Sequence, residues 1–266
     1  MEFTPRLTST FASFWNQTFS ERSRFLKNIM NRPLRLLVIL LILLLFSCAT
    51  PGEKVIYFGD EIYDHSISSN TKALEKNSMN AEAYNDRGVA YHEKGLYDEA
   101  ISDFSKAIEI NPKDADAYYN RGTVYGIKGQ YDQAILDYNK AIEINPRFAL
   151  AYDNRGNAYS ESGRYDEAIS DHNKAIEINP KDAIVYVNRG VAYEKKGQYD
   201  QAISDYNKAL EINPRFALAY NNRGWAHYFK KEYDKSWDDI KQARELGYKI
   251  PAEFLEDLRK ASGREK

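Results

Sequence analysis

The sequence predicts an all-α array of helix–turn–helix units, and three observations predict it. One motif recurs at a step of 34 residues across residues 81–250. Within each copy, large apolar and small residues alternate at helical spacing. The first four copies also carry two breaks, a glycine near the middle and an Asn-Pro near the end. Self-similarity at such a period marks a repeat architecture, in which each unit buries its apolar face only against its neighbours.

The elements follow in order. Asn-Arg-Gly stands at 120–122, 154–156, 188–190 and 222–224, with Asp86-Arg87-Gly88 as the first member. Ala81, Ala115, Ala149, Ala183 and Ala217 open the copies, which run 81–114, 115–148, 149–182, 183–216 and 217–250. Tyrosine holds position 4 (Tyr84, Tyr118, Tyr152, Tyr186, Tyr220) and glycine position 8 (Gly88, Gly122, Gly156, Gly190, Gly224). Large residues at 4 and 11 around a glycine at 8 form one helical stripe. The small residues at 8 and 20 let a second helix come close. Gly95, Gly129, Gly163 and Gly197 at position 15 end the first helix, because glycine readily takes the left-handed cap conformation. Asn-Pro at positions 31–32 ends the second, since a residue before proline is driven out of the helical region.

Large residues at 4, 11, 17 and 24 with small ones at 8, 20 and 27 resemble the tetratricopeptide repeat (TPR) signature over residues 81–250. The resemblance implies a right-handed α-solenoid of five repeats whose job is to bind other polypeptides. Both flanks stay in phase. Residues 63–80 read as a second helix without its first. Residues 251–266 read as a first helix without its second, with Phe254 at position 4 and Leu258 at position 8. The array is therefore expected to carry a half-repeat cap at each end. The fifth copy is degenerate, with Ser236, Ile240 and Tyr248 at positions 20, 24 and 32, as terminal repeats commonly are.

Position 7 departs from the family pattern, which has leucine there. This chain has Arg87, Arg121, Arg155, Arg189 and Arg223, matched at position 23 by Asp103, Asp137, Asp171, Asp205 and Asp239. An Arg–Asp pair between the two helices of every repeat is expected, with the arginine stem covering apolar surface. The alternative is that both simply face water.

A second period of 68 residues makes repeats 1 and 3 sisters, and repeats 2 and 4. Only positions 2, 5, 9 and 12 change in both pairs. Their spacing puts them on one stripe of the first helix. In the TPR family this stripe lines the concave groove that holds peptides. The groove residues implied are Glu82, Asn85, Val89 and His92; Asp116, Tyr119, Thr123 and Gly126; Leu150, Asp153, Asn157 and Ser160; Ile184, Val187, Val191 and Glu194; Leu218, Asn221, Trp225 and Tyr228. None is lysine or arginine, although the chain has 37 such residues. TPR domains that hold a partner's C-terminal carboxylate place cations here. An apolar or basic segment is therefore expected as ligand, anchored near Trp225 and Tyr228.

The N-terminus reads as an address. Leu36–Phe46 is an unbroken apolar run behind Arg32 and Arg35, too short to span a bilayer, where about 20 residues are needed. Leu45-Phe46-Ser47-Cys48 resembles a bacterial lipobox, apart from its Phe46, and Cys48 is the chain's one cysteine. The reading is a signal peptide over 30–47, lipidation at Cys48, a linker over 48–62, and a non-native or disordered extension over 1–29, with translation starting at Met30. The resemblance implies an outer-membrane lipoprotein facing the periplasm. An uncleaved inner-membrane signal anchor is the alternative, and with it an anchored regulatory subunit. A self-assembling array is a third reading.

Other chemistry finds little footing. Residues 1–47 carry +4 of a chain whose net charge is −2, which leaves −6 on the body and argues against nucleic acid. One cysteine excludes an internal disulfide. The four histidines, His65, His92, His172 and His227, form no metal-binding or catalytic spacing, and His172 stands where repeats 1, 2 and 4 have an aromatic. No enzyme activity, cofactor, metal or small-molecule substrate is expected.

Overall fold

The computed structural model describes residues 58–264. Among the described residues there are twelve α-helices and no strand: α1 (Phe58–Lys76), α2 (Ala81–Glu93), α3 (Tyr97–Ile110), α4 (Ala115–Ile127), α5 (Tyr131–Ile144), α6 (Ala149–Glu161), α7 (Tyr165–Ile178), α8 (Ala183–Lys195), α9 (Tyr199–Ile212), α10 (Ala217–Phe229), α11 (Tyr233–Glu245) and α12 (Ala252–Ser262). Helices α2 to α11 form five antiparallel pairs stacked in chain order into an α-solenoid. Helix α1 begins at Phe58, within the stretch 48–62 expected to be a linker. The expectations on residues 1–57, Cys48 among them, lie outside the described residues.

From α4 on, the starts of the first helices follow the 68-residue period. Asn80, Asp114 and Asp182 cap α2, α4 and α8 by accepting from backbone N–H groups one turn in. Helices α6 and α10 have Phe148 and Phe216 at that place and no side-chain cap. Their rings pack instead: Phe148 lies 4.9 Å from the Tyr119 ring, and Phe216 joins the apolar core of repeat 4.

The ends obey the predicted breaks. Gly95, Gly129, Gly163 and Gly197 have φ of +72° to +75°. Asn111, Asn145 and Asn213 each close the second helix, and their side-chain oxygens accept the backbone N–H two residues on. In the fifth repeat the left-handed residue is Lys231, at φ +63°. A side chain there costs about 1 kcal/mol relative to glycine. Lys231→Gly is therefore expected to stabilise the C-terminal repeat by up to about 1 kcal/mol, read as a raised urea midpoint.

Inside each pair the helices meet at glycine. A Cβ on Gly88, Gly156 or Gly190 would lie 2.5–2.7 Å from a ring atom of Phe104, His172 or Tyr206. Those rings, with Tyr138, are at most 1% exposed and alternate with alanines at positions 20 and 27 to fill the core. His172 takes the aromatic's place as expected. Its Nδ1 meets Asp153 Oδ1 at 2.9 Å, and its Nε2 has no partner.

Two polar ladders run along the stack. In every repeat the position-7 arginine grips both oxygens of the position-23 aspartate, from Arg87 on Asp103 at 2.7 and 2.8 Å to Arg223 on Asp239 at 2.8 and 2.6 Å. Its third group reaches back to position 25 of the preceding unit: Thr71, Ser105, Asn139, Asn173 and Asn207 in turn. The guanidinium also lies over the position-4 tyrosine at 5.4–5.8 Å. Each arginine thus joins the two helices of one repeat to the repeat before. The second ladder pairs position 14 with position 18 of the preceding unit: Lys94–Asp64, Lys128–Asp98, Lys196–Asp166 and Lys230–Asp200. Repeat 3 breaks it, because Ser162 replaces lysine opposite Asp132.

The ends continue the same pattern. Thr71 and Asp64 let α1 act as a second helix for repeat 1, and Tyr63 adds a bond to Glu93 at 3.1 Å. At the other end Arg264 pairs with Asp234 at 2.7 Å, where a sixth repeat's lysine would stand. Phe254 and Leu258 are fully buried against Ile240, and the opposite face of α12 is charged. A half-repeat therefore closes each end.

Candidate functional site

Successive first helices touch one another, as α2 does α4 and α8 does α10, whereas successive second helices do so at most weakly. The first helices therefore crowd the inner side of the stack. Position 2 of this face is the most open: Glu82 and Asp116 are exposed, and Leu150, Ile184 and Leu218 are partly so. Positions 9 and 12 are partly buried at Val89, His92, Gly126, Asn157, Ser160, Val191 and Glu194, and Asn85 at position 5 is also partly buried.

Several residues expected to line a groove do not reach one. Tyr119, Asp153, Val187 and Asn221 at position 5 are 8%, 6%, 1% and 6% exposed. They lie in the contact between consecutive first helices, where three of them and Asn85 form bonds to an asparagine of their own or the next repeat. Thr123 is buried too, bonded to the Tyr119 carbonyl and near the Tyr138 hydroxyl. Trp225 and Tyr228, expected to anchor a ligand, meet the capping helix. The Trp225 ring stacks on Phe254 at 3.6 Å and 15°, and Tyr228 meets the same ring edge-on at 5.4 Å. Both side chains stay partly exposed, and the capping helix covers part of each ring.

The comparisons agree with this architecture. Tetratricopeptide repeat models match residues 115–148 with 183–216, and 137–170 with 205–238. A TPR repeat model matches 90–126 and 156–197. Together they run without a gap from residue 90 to residue 238, more than half of the 266-residue chain. The chain belongs to the tetratricopeptide repeat family.

Solved TPR structures share the solenoid. YrrB, described as a TPR protein with an unusual peptide-binding site, is 23% identical, with 74% of this chain and 99% of that chain covered and a TM-score of 0.59. MamA is 30% identical, with 62% and 99% covered and a TM-score of 0.55. PilF of Pseudomonas aeruginosa is 24% identical, with 69% and 87% covered and a TM-score of 0.59. No curated protein matches the chain in sequence. A TPR solenoid is a protein–protein interaction scaffold, and that much holds for this chain.

At position 2 of the inner face, acids stand in repeats 1 and 2 and apolar residues in repeats 3 to 5. Glu82, Asp86, Asp116, Glu161 and Glu194 form no ion pair with a lysine or arginine among the described residues. Burial, then Glu82, raises the Asp86 carboxyl above its usual pKa; burial, then Asp114, does the same for Asp116. Burial also raises Glu161. It pushes Glu194 up to about 7, although the Tyr206 hydroxyl donates to its Oε2 at 3.0 Å. A carboxyl whose folded pKa is raised opposes folding once it ionises. The Glu194 contribution is therefore most favourable below about pH 4.5 and is lost as the pH rises towards 7. Glu194→Gln should flatten the fall in stability across that window, measured as Tm against pH for both proteins.

Asp86, Glu161 and the asparagines at position 6 were missed from the sequence. Asn120, Asn154, Asn188 and Asn222 hardly vary between sister repeats, and a search for variable positions passes over constant ones. Phe229, at position 13, is 47% exposed and stacks on Tyr199 at 5.3 Å. Its sister positions are Glu93, Ile127, Glu161 and Lys195, a spread in chemistry that would have exposed it had all five repeats been compared.

Proposed function

We propose that the chain is a non-catalytic scaffold that holds a polypeptide segment along its first helices, basic towards repeats 1 and 2 and apolar towards repeats 4 and 5. The charge left uncompensated on that face carries this reading. On the second helices Lys106, Lys140, Lys174 and Lys208 each pair with a glutamate three residues on. On the inner face Glu82, Asp86 and Asp116 have no such cation. Asp86 and Asp116, both exposed, each have an acid beside them, Glu82 and Asp114, so an incoming ammonium or guanidinium would relieve like-charge repulsion. Position 2 then turns from acid to Leu150, Ile184 and Leu218. A partner's acidic C-terminus would meet only like charge and apolar surface.

Fluorescence anisotropy with synthetic peptides tests this. A peptide with a lysine-rich half and a leucine-rich half should bind more tightly than an acidic one, and its affinity should fall as salt is added. Tighter binding of the acidic peptide would overturn the reading.

The scaffold is read as tethered to a bacterial membrane through lipidated Cys48, in the outer membrane facing the periplasm, where it assists assembly of an envelope complex. The apolar run before Ser47-Cys48 supports this. No helix among the described residues is long and apolar enough to cross a membrane. Mass spectrometry of the mature protein should find a diacylglyceryl cysteine at position 48; an intact residue 1 would contradict it.

A further inference from the structure

Two places on the array break the repeat pattern, and each break leaves a charge and an apolar side chain together in solvent. The first is on α5. Asp64, Asp98, Asp166, Asp200 and Asp234 each hold a lysine or arginine from the next unit. Asp132 is exposed and has no such cation among the described residues, because Ser162 stands where the lysine would. One turn on, position 22 is serine in repeats 1, 3 and 4 and aspartate in repeat 5. In repeat 2 it is Leu136, which is 65% exposed. Residues four apart share one face of a helix, so the bare carboxylate and the leucine are neighbours.

The second is the turn between α10 and α11. Phe229 is 47% exposed there and stacks only on its own unit's edge, against Tyr199 at 5.3 Å and Trp225 at 6.0 Å. Two residues on, Lys231 takes φ of +63°, where repeats 1 to 4 have glycine. It is exposed and forms no ion pair among the described residues. A side chain kept at a strained position that glycine would fill at lower cost points to a use for that side chain. The two places are opposite in charge and alike in apolar surface. An ammonium is also what most of the other position-18 aspartates hold, so the partner that fits Asp132 has a known chemistry.

We propose that two copies of the chain associate through these unlike patches, Lys231 of one copy pairing with Asp132 of the other while Phe229 covers Leu136. Each copy carries both halves, so the contact is heterologous. It is small, and belongs with the weak, transient interfaces. Neither patch lies on the first-helix stripe of positions 2, 5, 9 and 12, so the contact leaves that face open and does not depend on the scaffold reading.

Sedimentation equilibrium of the full chain in detergent, at rising protein concentration, tests this; whatever the N-terminal apolar run contributes is common to every variant. The wild-type mass should rise with concentration, and less so as salt is added. Asp132→Lys and Lys231→Glu should each move that rise to about tenfold higher concentration, because reversing a charge turns attraction into repulsion. Mixing the two variants should restore it, since each then reverses the charge that the other meets. Lys231→Gly, expected above to stabilise the fold, should weaken association as well, a loss that instability would not explain. Ser162→Lys, which gives Asp132 its lysine, should do the same. Met79→Ser, at a residue 66% exposed outside both patches, should leave association unchanged. A wild type that stays monomeric, single variants that associate as the wild type does, or a mixture no better than either alone would overturn the contact. None of these outcomes touches the peptide reading of the inner face.

Discussion

Asp137→Ala is expected to destabilise the array by about 3 kcal/mol, far more than a surface ion pair would. Asp137 is 5% exposed, and both its oxygens accept from Arg121, at 2.8 Å each. Removing it leaves a partly buried guanidinium with only Ser105 and the tyrosine rings of positions 4 and 11 around it. The large loss reflects the stranded charge rather than the worth of the pair. Arg121→Met with Asp137→Ala should therefore recover part of it. A double-mutant cycle in urea should give a coupling of at least about 1 kcal/mol. Zero coupling would mean that the ladder is ornament, and that alanines and tyrosines hold the repeats alone.

Gly190→Ala is expected to lose about 2 kcal/mol net. Alanine favours the helix by about 1 kcal/mol, but overpacking a core costs about 3 at its upper end. The upper end applies here. The new Cβ would sit 2.5 Å from Tyr206 Cε1, in a ring that is 0% exposed and tied to Glu194 through its hydroxyl. Gly224→Ala supplies the contrast. Its nearest neighbour is Ile240 Cδ1 at 3.0 Å, the far end of a flexible chain. Propensity and crowding should nearly cancel there. Urea midpoints in the opposite order would contradict the packing account.

The solenoid was legible in the sequence because every structural demand recurs at the same offset. Gly190 and Tyr206 each have counterparts in the other repeats, so packing and breaks read as periodicity. The Arg–Asp ladder was legible for the same reason. The inner face was legible only in part. Variation between sister repeats picked out one face of the first helix, but variation does not tell water from a neighbouring helix. Tyr119, Asp153 and Val187 vary because each junction solves the same contact differently, and they are buried. Trp225 and Tyr228 looked like ligand anchors because the sequence gives no register between α10 and α12, and their stacking on Phe254 exists only in three dimensions. The constant asparagines escaped for the opposite reason: their constancy marked them as scaffold.

Photo-crosslinking tests the central claim, that the first-helix face is where a polypeptide binds. A benzophenone side chain is placed at Asn157 on that face, and in a second protein at Lys174 on the second helix of the same repeat. Each is irradiated with the peptide that has a lysine-rich half and a leucine-rich half. Adducts confined to the Asn157 protein are the predicted result; equal adducts at both positions, or adducts at Lys174 alone, would contradict it.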